Sequence, residues 1–472
     1  MIDRRELLAS AGNLGLLPNV IEKDYVLGWL LAGIFKHPTL RDSWVFKGGT
    51  CLKKCYFETY RFSEDLDFTL PDKAHLSLDF LVPTFREIAA WVYEQTGIEL
   101  PPDKVHFEVF QNRRGHPAGQ GRISYRGPIA PASGDLPRIK LDLTFDEVLV
   151  LPPVDRPVSH PYSDMPSGGM HARCYSYEEV FAEKVRALAE RARPRDLYDV
   201  INLFRHDEFH PAATVIRDAL IQKCAYKSIS FPTLEALAPL RDELEADWQV
   251  MLSHQLPALP PVEAFWSELP ALFAWLEHQT QTAVMAAYPM GAGDVVIRPP
   301  AGSIALPGMA SSAPIEVIRF AASNRLCVEL DYVDEKGTRS TRLIEPYSMR
   351  RTQAGDIILH ALRADGAGHR SYRLDRIRAA RATKQTFVPS YAIELTPMGP
   401  ISAPMVMTAP RVTSFRSPVP SSTSRKGPIY IYQCSRCSKR FEHSKRDATL
   451  RAHKDTNGGP CSGRHGIWVE TK

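Results

Sequence analysis

Between Asp65 and Leu70 the chain reads DLDFTL, with Leu66, Phe68 and Leu70 on one face of an extended segment and Asp65, Asp67 and Thr69 on the other. The period of two places both carboxylates side by side on one strand face. Adjacent carboxylates repel, so a divalent cation is their natural neutraliser, and magnesium takes oxygen ligands while keeping places for phosphates. A second segment, RIKLDLTF, repeats the pattern with Ile139, Leu141, Leu143 and Phe145 on one face and Lys140, Asp142 and Thr144 on the other. Asp142 from that strand completes a three-acid site. Two metal ions held in this way stabilise the attacking and leaving oxygens of an in-line phosphoryl displacement.

The acids follow a bare turn, FKGGTC. Gly48 and Gly49 let backbone N–H groups approach a polyphosphate, and a helix beginning at Thr50 would aim its positive end at the same charge. Thr50 and Ser63 add hydroxyl donors. The bland alternative is a hairpin turn ahead of an exposed strand face. Taken in order, GGT, RFSEDLD and KLD favour the phosphate site.

A length of 472 residues exceeds one ordinary core and predicts two to four domains. The start MIDRRELLAS has no apolar stretch of a secretory signal, and the most apolar early run, Tyr25–Phe35, is too short to span a bilayer. Eight cysteines in so long a chain are not a disulfide scaffold; five (Cys51, Cys55, Cys174, Cys224, Cys327) are scattered, and the expectation is a reducing cytoplasm. The whole chain is +4, but residues 411–472 hold 13 Lys and Arg against 4 Asp and Glu, hence +9, which leaves the remainder at −5. A basic end of this kind suits contact with nucleic acid or simply solvates a tail. Gly, Pro, Ala and Ser concentrate in two linkers, 286–313 and 393–428, which separate blocks at 1–285, 314–392 and 429–472. The first mixes strands with the helical repeats YEEVFAEKVRALAERA and PRDLYDVINLF, and is helical from Ala213 to Met285. It reads as α+β.

In the first of those helices, Lys184 lies beside the apolar stripe Phe181, Val185 and Leu188. It either snorkels to water or points at a phosphate in a cleft. Asp196 orients Lys184 or the acceptor, or complements a helix dipole, and Asp199 is a substitute in either role. Arg61 is a phosphate ligand or a partner of Glu64. The Gly-rich basic stretch Gln111–Arg126 is an RNA contact or a solvated loop.

The pieces IEKDY (21–25), VFKGGTCLKKCY (45–56), RFSEDLDF (61–68), KLDLT (140–144), EEVFAEKVRAL (178–188) and RPRDLYDV (193–200) together resemble the AbiEii/AbiGii nucleotidyltransferase family, the toxin component of type IV toxin–antitoxin and abortive-infection systems. The helical region containing ADWQVMLSHQ (246–255) resembles the family's C-terminal part, so the likeness covers about residues 10–285. It implies a polymerase-β-like nucleotidyltransferase core with a helical C-terminal subdomain. It also implies Asp65 and Asp67 as metal ligands, Gly48, Gly49 and Thr50 on the triphosphate of an NTP, and Lys184 and Asp196 as later functional positions. Many members carry Ser where this chain has Thr50, which keeps the hydroxyl. The implied acceptor is the 3′ end of tRNA, and a cognate antitoxin is an implied partner. Transfer to protein, and a nucleic-acid-binding regulator with a non-catalytic transferase scaffold, are the competing readings.

From Ile318 to Phe387 short alternating strands are divided by turns such as DEKG and ADGAG, which suggests a small β-barrel. The order VELDY, RLIEPYSMR, IIL and YRLDRIRAARAT resembles a WYL domain, although Ile357, Ile358 and Leu359 stand where Trp-Tyr-Leu is usual. The resemblance implies a sensor that binds nucleotide or single-stranded nucleic acid through arginines, here Arg350, Arg351, Arg373 and Arg376, with Arg342 and Arg370 as further candidates. In the tail, Cys434 and Cys437 form a CxxC knuckle followed by a helix bearing His453, and Cys461 is the fourth ligand, with His465 and His443 as alternatives. Two or three thiolates and an imidazole suit a structural tetrahedral zinc ion, without which a segment of ~40 residues could hardly fold. It resembles a Cys-Cys-His zinc finger. Its basic surplus favours nucleic acid as the partner.

Overall fold

The computed structural model describes residues 1–57, 60–129, 135–206, 211–277, 286–289, 295–296, 313–395 and 430–471. Three helices open the chain: α1 (Arg4–Leu14), α2 (Pro18–Lys36) and α3 (Pro38–Ser43). Asp3 caps α1 by accepting the Glu6 N–H, and Pro at the first position starts both α2 and α3, where no N–H is needed. Then follow β1 (Val45–Lys47), α4 (Gly48–Cys51), a wide π turn over Leu52–Tyr56, β2 (Asp65–Thr69) and α5 (Leu78–Thr96). The strands β3 (Val105–Gln111), β4 (Pro117–Ser124), β5 (Arg138–Thr144), β6 (Val154–Pro157) and β7 (His171–Cys174) complete a seven-stranded sheet in the order β3-β4-β5-β2-β1-β7-β6.

This sheet is mixed: β2 runs parallel to β5 and β1 parallel to β7, and the other neighbours are antiparallel. One face is apolar, with Phe46, Leu66, Phe68, Leu141 and Leu143 all buried. Trp44, at the entrance of β1, fills the space between Phe68 and Phe85 of α5. The basic stretch Gln111–Arg126 is not a solvated loop throughout: residues 112–116 form the β3–β4 turn and Pro117–Ser124 is β4, where Gly121 leaves the room that the Phe107 ring occupies.

A helical subdomain follows: α6 (Tyr177–Arg191), α7 (Pro194–Arg205), α8 (Ala213–Lys227), α9 (Leu234–Leu237), α10 (Arg241–Leu252), α11 (Glu263–Trp266) and α12 (Leu269–Leu276). Ser176 caps α6 through the Glu179 N–H. The helical run expected to Met285 is described only as far as residue 277.

Next comes the second sheet, with β8 (Val295–Val296), helix α13 (Ala313–Ser323), β9 (Leu326–Val333), β10 (Arg339–Arg351), β11 (Ile357–Arg363), β12 (His369–Arg373) and β13 (Ile377–Thr386), ordered β12-β11-β10-β9-β13 with β8 on β10. Part of the expected linker at 286–313 belongs to this module. Tyr288 is buried and donates its hydroxyl to the Ala361 carbonyl, and β8 pairs with Arg350 and Arg351. Most of the second linker, 396–428, lies outside the described residues. Arg325 on this module and Arg205 of α7 both pair with Glu268, which ties the two parts of this unit together.

Among the four arginines expected to meet a ligand here, Arg350 is corrected. It is fully buried, its guanidinium donates to Glu394 at 3.0 Å and to the carbonyl of Tyr288 at 2.8 Å, and it ties the flanking segments at Tyr288 and Glu394 to β10 instead of meeting a ligand. Arg373 pairs with Asp356 and Asp375 and Arg376 with Glu335, whereas Arg351 is exposed.

The tail forms a separate unit. It has β14 (Tyr430–Cys434), β15 (Arg440–His443), β16 (His453–Lys454), β17 (Pro460–Cys461) and β18 (Gly466–Thr471), with one sheet ordered β15-β14-β18 and β16 paired to β17. No helix occurs among its described residues, so the expected His-bearing helix is replaced by the short strand β16.

Replacing Arg350 by Ala leaves the Glu394 carboxylate without its cation, and should cost about 3–5 kcal/mol in denaturant unfolding. The exposed Arg351→Ala should stay within about 0.5 kcal/mol. Equal effects would contradict the structural role given to Arg350.

Candidate active site and metal centre

In-register pairing builds a polar row across four strands. Lys47 of β1 stands opposite Asp67 of β2, Asp67 opposite Asp142 of β5, and Asp142 opposite Gln120 of β4. One step along, Asp65 stands opposite Lys140. The three acids thus share one sheet face on two adjacent strands, as their alternation predicts. Their oxygens do not all fall within 4.8 Å of one another. Asp142 is drawn aside by Lys140 Nζ at 2.6 Å and accepts from Gln120 at 3.3 Å.

The electrostatics mark this row as short of positive charge. Burial lifts the Asp67 carboxyl to about 6, with Asp142 and Asp65 adding to the rise and Lys47 and Lys184 opposing it. Asp65 is also raised, chiefly by burial. Carboxylates held above their ordinary range, whose own ligand atoms are all oxygens, fit a hard divalent cation.

Gly48 has φ of +82°, and a Cβ there would lie 2.1 Å from an Asp67 oxygen, so no side chain can stand between the turn and that acid. A Cβ on Gly49 would meet Arg61 at 2.5 Å. The helix after the strand starts at Gly48, not at Thr50. Thr50 departs from expectation too: it is buried, and its hydroxyl donates to the Asp65 carbonyl at 2.5 Å, so it fixes β2 instead of facing the cleft. Ser63 does line the cleft.

The helices supply the opposite wall. Lys184 Nζ lies 2.7 Å from Asp199 and 3.8 Å from Asp196. Asp196 is taken bidentately by Arg191 at 2.7 and 2.8 Å. Asp199 is the nearer partner of Lys184, and it also accepts two bonds from Arg61 at 2.7 Å and one from the Tyr60 hydroxyl at 2.6 Å. Burial would raise the Asp199 carboxyl, but Arg61 and then Lys184 override it and hold the group well below the usual carboxylate range. Arg61 therefore serves Asp199, not Glu64, whose partners are Lys23 and His254. The IEKDY motif has a structural part as well: Asp24 accepts from Lys54 at 2.8 Å and ties α2 to the π turn after α4.

Asp65, Asp67, Asp142, Gly48, Gly49, Ser63, Lys184 and Asp196 all line one open cavity of about 420 Å³. It also contains Lys47, Glu147, Arg193 and Arg195, which sequence reasoning did not single out. Alternation along β1, which buries Phe46 and turns Lys47 to the opposite face, was a usable signal for Lys47. Arg195, at the start of α7, offered none. Its Nε is buried without a hydrogen-bond partner, and the neighbouring Arg61 adds to burial in depressing its pKa. It is a guanidinium in the cavity that Asp65 and Glu64 only partly offset.

The tail brings Cys434, Cys437, His453 and Cys461 together, with one ligand atom of each within 4.8 Å of the others. His443 and His465 are not in this group. The Arg436 N–H points at Cys434 Sγ, and backbone N–H groups of Arg436 and Cys437 hold that thiol down to about 6. His453 Nδ1 lies 2.9 Å from the Arg451 carbonyl, which leaves Nε2 facing Cys437 Sγ at 3.3 Å. This is the outer partner that orients a ligating imidazole. A Cβ on Gly463 would sit 2.4 Å from Cys434 Sγ.

Comparison with curated protein sequences finds no match. Among solved structures, MenT4, a nucleotidyltransferase toxin of Mycobacterium tuberculosis H37Rv, is similar at 20% identity over 59% of this chain and 89% of its own, with a TM-score of 0.39. The proteasome accessory factor B/C (PafBC) of Arthrobacter aurescens is similar at 15% identity over 54% of this chain and 38% of its own, with a TM-score of 0.16. Both scores are too low to argue from. Family models are more direct: residues 314–382 match the WYL domain, and residues 29–277, just over half of the chain, match the family described as nucleotidyl transferase AbiEii toxin, type IV TA system. The chain belongs to the AbiEii family of nucleotidyltransferase toxins.

Proposed function

We propose that this nucleotidyltransferase moves a nucleoside monophosphate from an NTP to the 3′ end of a tRNA. The observation that carries the reading is the pair Asp65–Asp67, raised by burial, with Asp67 laid against Gly48, in one cavity with Lys184. Asp65 and Asp67, with Asp142 beside them, would hold two magnesium ions, which neutralise attacking and leaving oxygens when bound. Gly48 and Gly49 give the triphosphate access to backbone N–H groups. Lys184 and Arg195 offset its charge from the helical wall. The acceptor hydroxyl forms the new bond to the α-phosphorus as the bond to the pyrophosphate oxygen breaks. The protein's contribution is positioning and charge. A cognate antitoxin is the expected partner of such a toxin. The WYL module would sense nucleotide or single-stranded nucleic acid, with Arg351 as the exposed contact. The tail cluster would hold zinc, which its Cys/His set favours.

Incubation with labelled NTP, magnesium and total tRNA tests the assignment. Label should enter tRNA and disappear in Asp67→Asn. Label on protein, or on nothing, would refute the tRNA acceptor. The same variant should be more stable than the parent at neutral pH. The folded carboxyl titrates near 6, above its unfolded value, so ionisation opposes folding once the pH exceeds the unfolded value, at a cost of up to about 3 kcal/mol. A loss of stability in Asp67→Asn would contradict this.

Arg195→Ala should lower kcat/KM for transfer about 10–100-fold, the worth of a charge-assisted contact. Wild-type kinetics in that variant would remove Arg195 from the phosphate wall. Metal analysis should find one zinc per chain, lost in Cys434→Ser together with protease resistance of the tail.

A further inference from the structure

Three of the five cysteines outside the tail converge. Cys51 ends α4, Cys55 lies four residues on in the π turn, and Cys174 ends β7. Their sulfurs all lie within 4.8 Å of one another, all three are buried, and none is in a disulfide. Phe46 of β1 is in register with Cys174, so the cluster sits between β7, the neighbour of the strand that enters Gly48, and the helix that leaves it.

We propose that Cys51, Cys55 and Cys174 form a three-thiolate site for a thiophilic monovalent cation of the copper(I) class. The donor set is soft throughout. Among the described residues no fourth Cys, His, Asp or Glu ligand atom joins it within 4.8 Å. Structural zinc takes four ligands, and the hard cation proposed for the aspartates takes oxygen, so a trigonal soft site discriminates against both. Binding releases the thiol protons and leaves excess negative charge in a buried place. Arg156 is the cation set beside it: its guanidinium lies 4.7 Å from the Tyr56 ring, and its Nε donates to the Cys55 carbonyl at 3.2 Å. An occupant would join α4, which carries Gly48 and Gly49, to β7. Tyr175, next in sequence to Cys174, lines the same cavity and shares a hydrogen bond with Thr69 of β2 at 2.6 Å. The site would therefore pin the floor of the cleft.

The test uses the full chain with its tail loaded with zinc, titrated anaerobically with copper(I) against bicinchoninate. One equivalent should be withheld from the competitor without release of zinc, and X-ray absorption should show three sulfur neighbours. Cys174→Ser should lose that equivalent. If that variant does not fold, Cys55→Ala carries the same expectation, since a small apolar residue fits a buried helical position. The tail variant Cys434→Ser/Cys437→Ser should keep the copper. Copper uptake matched by zinc release, uptake unchanged in the Cys55 and Cys174 variants, or no copper withheld would each overturn the proposal. So would a thiol count showing that two of the three sulfurs are already joined in the purified protein.

Discussion

A single buried carboxylate, Asp199, holds the cleft in shape. It receives Arg61 and Tyr60 from the segment before β2 and Lys184 from α6, and it stands on α7 itself. Two consecutive helices and a segment 138 residues earlier thus meet at one side chain with no exposure. A buried charge is tolerable only when its oxygens are fully engaged, and here two cations and a phenol engage them. The consequence reaches the glycine turn: Arg61, fixed by Asp199, fills the space that a side chain on Gly49 would need.

The cavity is divided electrostatically. On the helical wall the acids are over-supplied with cations, and Asp199 is held well down. On the sheet the acids are under-supplied, and Asp65 and Asp67 are held up. The same residue type therefore serves two ends. Paired carboxylates make structure, and under-supplied ones carry an unfavourable charge that a bound cation would relieve. Strained electrostatics of this kind gather at functional sites because folding alone gives no reason to keep them.

The smaller modules differ in the apolar material each has to work with: the second sheet and α13 bury Ile318, Phe320, Val328, Leu330, Ile344 and Leu359, whereas the tail buries few such side chains. The second sheet gains rigidity from a buried arginine bridged to Glu394. In the tail the buried cluster amounts to Tyr432, Cys434, Leu450 and Cys461, two of which belong to the ligand set. So small a core leaves the Cys/His cluster itself as much of what the tail has to organise around.

Much was legible in the linear chain. Alternation placed Asp65, Asp67 and Asp142 on one sheet face, since a strand's period of two depends only on local backbone geometry. The spacing of Cys434, Cys437, His453 and Cys461 likewise announced a joint cluster. What sequence could not supply was partnership across the fold. Arg61 looked equally suited to a phosphate or to Glu64, Thr50 looked free, and Arg350 looked like a ligand contact. Each was settled by a neighbour from elsewhere in the chain: Asp199, the Asp65 carbonyl and Glu394. The meeting of Cys51, Cys55 and Cys174 is of the same kind, for cysteines that look scattered carry no periodic signal of a shared site. Local patterning determines which face a side chain takes, but only tertiary packing decides which charge or sulfur it meets there, because those partners are brought together by burial and not by chain distance.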